Sequence, residues 1–87
     1  MTGRELLEQL RVLNHDCRQA LEEENFRKFR ALMQLKKELL RFLQQVPFEL
    51  EDIELVKEAL RQEEALASLA IAKRNRLQAK LKQGLVH

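Results

Sequence analysis

The chain has 87 residues, of which 45% are hydrophobic and 34% charged, with two glycines, one proline and a net charge of +2. A chain this short makes one small domain with no room for a large enzyme scaffold, and so few turn-forming residues argue against a sandwich or barrel. The single cysteine, Cys17, forms no internal disulfide and builds no zinc site alone, so a reducing, cytoplasmic setting is expected.

The first segment, MTGRELLEQLR, is charged every few residues, which predicts neither a signal peptide nor membrane insertion. Thr2 and Glu5 have capping-box spacing, with Met1 placed to staple onto Leu6, and they predict a first helix over about 3–23. Its stripe is Leu6, Leu10, Leu13, Cys17 and Ala20, widened by Leu7 and Leu21. At Glu22-Glu23-Glu24 the stripe stops. Asn25 is suited to cap a new helix, so a tight turn is expected there, although the acidic run itself does not forbid a continuous helix.

The second helix is predicted over about 26–45, with Phe26, Phe29, Leu32, Met33, Leu35, Leu39, Leu40, Phe42, Leu43 and Val46 as apolar members. That stripe is broad enough to touch two neighbours. Pro47 ends it and is expected early in a third helix over about 49–83, whose acidic first turns (Glu49, Glu51, Asp52, Glu54) suit the positive end of the helix dipole. The third stripe reads Ile53, Val56, Leu60, Ala67 and Ala70, flanked by Leu66 and Leu69, and reaches Leu77 and Leu81 before Gly84 signals a stop.

Charge is segregated along the chain. Residues 1–24 carry three basic and six acidic groups (−3), 25–46 six and one (+5), 47–64 two and seven (−5), and 65–87 five and none (+5). Blocks alternating in sign favour helices that double back on one another. The expected fold is therefore all-α, an antiparallel three-helix bundle or long hairpin in a single domain over 1–87. Its third helix, about 35 residues and roughly 50 Å long, outruns the other two, near 30 Å each, by about 15 residues. An amphipathic overhang of that length is marginal alone in water and calls for a partner.

Little catalytic chemistry is legible. In His15-Asp16-Cys17, residues two apart on a helix point away from each other, so His15 reads as exposed and Cys17 as core, and no nucleophile–base pair forms. His87 offers no second ligand to His15, and no metal, cofactor or catalytic residue is expected. Glu63 and Lys36 interrupt their stripes and are expected at the bundle edge with heads in water. Antiparallel pairing predicts an exposed ion pair between Lys36 and Glu58. The basic run Lys73 to Lys82 has no aromatic side chain for base stacking, which makes nucleic-acid binding a minor reading.

A first helix ending in ALEEENF, a second reading FRKFRALMQLKKELLRFL and a third reading IELVKEALRQEEALASLAIAKRNRLQAKL resemble the FliT and FlgN type of flagellar export chaperone. Glu24-Asn25-Phe26 stands at that family's turn before an aromatic residue, without its usual glycine. Lys37-Glu38-Leu39-Leu40 matches its second-helix ending, and Glu64, Leu66, Lys73, Arg74 and Leu77 match its third helix. The resemblance implies a cytoplasmic chaperone of type III secretion that holds a helical segment of a secreted flagellar component, a filament-cap or hook-filament junction protein. The strip expected to meet this client is Leu66, Leu69, Ala70, Lys73, Leu77 and Leu81. The alternative is a structural or adaptor protein that forms a coiled-coil homodimer through helix three. An enzyme resembling the small helical chorismate mutases, suggested by the LEQLR opening, conflicts with basic positions that fall outside the stripes.

Overall fold

The computed structural model describes residues 2–86 and is built from three helices, α1 (Gly3–Glu22), α2 (Phe26–Leu43) and α3 (Ile53–Val86), with a single 3₁₀ turn at Leu50–Asp52. No strand occurs among the described residues. Thr2 caps α1 by accepting a hydrogen bond from the Glu5 amide at 3.2 Å. The expected Met1 staple and His87 lie outside the described residues. α1 ends in the predicted tight turn: Glu24 takes a left-handed φ of 58°, and Asn25 caps α2 by accepting from the Lys28 amide at 3.2 Å.

Two predicted boundaries shift. α2 stops at Leu43, and Pro47 lies in the connection rather than in α3, which begins only at Ile53. The delay has a local cause, because Glu49 and Asp52 form a capping box around the 3₁₀ turn, with the Glu49 amide donating to Asp52 Oδ2 at 3.3 Å. Phe48 then folds its ring over the start of α1, where a Cβ on Gly3 would lie 2.7 Å from two ring carbons. Gly84 does not end α3, which runs on to Val86.

α1 packs against both α2 and α3. Its buried residues feed two apolar clusters. Leu6, Leu7 and Leu10 meet Leu39 and Leu43 at the Pro47 end, with Leu55, Val56 and Ala59 of α3 against them. Cys17 and Leu21 meet Leu66 at the Glu24 end, with Phe29, Leu32, Leu69 and Ala70 around them. The inward stripe of α3 is thus Leu55/Val56, Ala59, Leu66 and Leu69/Ala70. The expected stripe members Ile53, Leu60 and Ala67 are exposed.

A polar layer separates the clusters. Lys36, only 3% exposed, sends Nζ to Glu63 Oε2 at 2.9 Å and to Asn14 Oδ1 at 3.3 Å, and Asn14 Nδ2 donates to Gln62 Oε1 at 3.3 Å. Side chains from all three helices meet here. The edge positions expected for Lys36 and Glu63, and the Lys36–Glu58 pair, are corrected by this layer. The long connection brings a later turn of α3 opposite Lys36, and Glu58 pairs with Arg61 instead, at 2.8 Å.

The molecule is elongated, 57 by 21 by 18 Å, with a radius of gyration of 15.9 Å against roughly 12 Å for a compact chain of this length. α3 is the reason. Its Lys73 and Arg76 reach Glu24 in the α1–α2 turn at 3.6 and 3.9 Å, and residues 77–84 past that point are all exposed.

Candidate protein-binding groove

The breadth of the α2 stripe finds its explanation on the side of the molecule away from α3. Leu32, Lys36, Leu39 and Leu43 point inward, whereas Leu35 and Phe42, seven residues apart on the same helix face, point outward beside α1. Val12 stands across from them on α1. Between the two helices lies an open groove of about 710 Å³, lined by Leu6, Val12, Leu13, Leu35, Leu39 and Phe42, with Val46 at one end and Gln9 and Glu38 as its polar lining. Its rim is apolar and wet: Val12 is 60%, Leu35 55% and Phe42 61% exposed. Two antiparallel helices with an apolar furrow between them present the surface on which a further helix would pack.

The expected partner strip divides. Leu66 is buried against Cys17 and Leu21, and Leu69 and Ala70, partly buried, pack on the same cluster, so these three are engaged by the core of this chain. Matching α3 in length to α1 and α2 from the Pro47 turn predicts that it leaves the bundle near Leu69. It stays docked as far as Lys73, which is half-buried against Glu24. Leu77 and Leu81 do face solvent. Leu77 follows Leu66 by 11 residues, three helical turns, so it prolongs the core-facing stripe beyond the ends of α1 and α2.

The groove was missed in the sequence. By spacing alone Leu35, Leu39 and Phe42 fall in one stripe, and Val12 falls in none. The available signal was the stripe's excess width, which called for a second neighbour that this chain does not supply.

The other furrows are mixed in character, with charged and amide side chains set among apolar ones. One of about 610 Å³ between α1 and α3 is lined by Arg11, Asn14, His15, Arg18 and Gln62 together with Leu66 and Leu69. His15 is exposed there while Cys17 is fully buried, so the two do not face a common space. Burial pushes the Cys17 thiol above its ordinary value of 9.0, with the nearby Lys36 ammonium pulling the other way. No group of three or more His, Cys, Asp or Glu side chains suited to a metal ion occurs among the described residues. No helix among them is long and apolar enough to cross a membrane. Compared with protein-family models, with curated proteins and with solved structures, the chain matches none.

Proposed function

We propose that this chain is a small, non-enzymatic helical binding protein that holds an amphipathic helix of a partner protein in the groove between α1 and α2. The observation that carries the reading is that groove, with Val12, Leu35 and Phe42 exposed along one apolar furrow. Surface leucines scattered singly need no explanation, but three large apolar side chains converging on one furrow do. A helix laid there would bury them and complete a four-helix arrangement.

The partner class follows from the family resemblance. We propose a cytoplasmic flagellar export chaperone whose client is the terminal helical segment of a filament-cap or hook-filament junction protein. The groove, together with Leu77 and Leu81 on the overhang, would cover the client's apolar face and keep it from self-associating before export. The basic side chains Arg74, Lys80 and Lys82 beside that strip would speed and orient encounter with an acidic segment.

Fluorescence anisotropy with labelled client terminal helices tests this. The account expects binding that Phe42→Asp or Leu35→Lys abolishes with little change in melting temperature. Binding insensitive to both substitutions, or equal to that of an unrelated amphipathic helix, would refute it. A short single-stranded nucleic acid titrated at two salt concentrations is the control for the basic overhang; tight binding with a steep salt dependence would favour the nucleic-acid reading instead.

A further inference from the structure

We infer that in the absence of a client the groove is filled by the α3 overhang of a second copy, in a closed antiparallel pair. Exposed area is the first argument. The chain exposes 6972 Å² at a mass of 10.3 kDa, whereas a folded monomer of that mass exposes roughly 5,400 Å². The excess is above the roughly 800 Å² that each partner gives to a standard interface.

Length is the second argument. From Leu77 to Val86 the overhang is 10 residues, about 15 Å of helix. The groove follows α2 and its continuation from Leu35 to Val46, roughly 16 Å. Groove and overhang lie at opposite ends of the molecule, the groove beside Pro47 and the overhang beyond Glu24. A second copy inverted about a two-fold axis perpendicular to α3, occupying the same 57 Å length, therefore brings each overhang level with the other's groove. Both contacts form together, and the assembly closes instead of growing.

The third argument is charge. Between Lys73 and Lys82 the overhang carries five basic groups and no acidic one. Among the described residues that line the groove it would enter, the one charged side chain is acidic, Glu38. Leu77 and Leu81 supply the apolar face, opposite Leu35, Phe42 and Val12. This pairing rests on the groove and the overhang alone, whatever the client is.

Complementation between two damaged copies is the test, read by sedimentation of the full chain across a concentration series. Phe42→Asp spoils the groove and leaves the overhang; Leu77→Asp with Leu81→Asp does the reverse. Each variant alone has both contacts of its homodimer broken, and its dissociation constant should rise more than about tenfold. An equimolar mixture keeps one intact contact, the overhang of the first in the groove of the second, and should recover a heterodimer weaker than wild type. Should circular dichroism show Phe42→Asp unfolded, Val12→Lys replaces it at the other rim.

A wild-type chain that stays monomeric, variants that dimerise as well as wild type, a mixture that recovers nothing, or assemblies growing past the dimer would each overturn the pairing. Client binding separates the two proposals. A monomer that binds client helices through Phe42 defeats the pairing alone, and a dimer broken and restored as described, but deaf to clients, defeats the chaperone reading alone.

Discussion

Replacing Lys36 by methionine keeps most of the buried stem and removes the ammonium from between the three helices. The bonds lost are those to Glu63 Oε2 at 2.9 Å and Asn14 Oδ1 at 3.3 Å. Glu63 Oε1 is already buried with no hydrogen-bond partner among the described residues, so the substitution strands the whole carboxylate. Removing one member of a fully buried ion pair costs about 3–5 kcal/mol. The Glu63 side chain keeps 31% of its exposure, and hydration from that side lowers the expected loss to about 1–3 kcal/mol. In urea, with a slope near ~1 kcal/mol/M for so small a chain, the midpoint should fall by about 1–3 M. Adding Glu63→Met removes the stranded charge, leaves Asn14 bonded to Gln62, and should restore stability to within ~1 kcal/mol of wild type. A single variant that loses less than ~0.5 kcal/mol, or a double variant worse than the single, would show that the layer does not hold the helices as described.

Further outcomes separate core from surface. Leu21→Ala, at a side chain only 1% exposed, should cost about 2–5 kcal/mol, whereas Leu35→Ala on the groove rim should cost under ~1 kcal/mol in urea titrations of the same chain. Leu77→Asp with Leu81→Asp should leave the melting temperature of dilute monomer almost unchanged; a large fall would place those leucines in the core. For Cys17, the folded state holds its proton while the unfolded thiol ionises near 9.0, so the stabilisation is complete below that pH and is lost as pH rises beyond it. Wild type should therefore lose stability faster than Cys17→Ala between pH 8 and 10, about a unit either side of 9.0, and a parallel decline in both would contradict the burial of the thiol.

The three helices were legible because their signals are local. Thr2 and Asn25 announce helix starts, Pro47 forbids continuation, and the α1 leucines recur at helical spacing. What escaped the sequence was set by register between elements. The capping box of Glu49 and Asp52 delays α3 to Ile53, which brings Glu63 rather than Glu58 to Lys36 and turns an expected surface pair into a buried layer. The same register keeps α3 docked through Lys73, so Leu66 is buried, Leu69 and Ala70 pack against the core, and the open overhang shrinks to Leu77 and beyond. The groove escaped for a different reason. An apolar residue reads alike whether it faces its own chain or a partner, and Phe42 differs from Leu39 only in which side of α2 it occupies.

The claim on which the rest depends is that the furrow between α1 and α2 is a seat for a helix from another chain. Methyl-labelled NMR of the full chain, titrated with a client terminal helix, reads this directly. The account predicts the largest shifts at Val12, Leu35 and Leu39, with Leu21 and Leu66 little affected. Shifts confined to the α1–α3 furrow around Leu69, or none at any of the groove methyls under saturating helix, would contradict it.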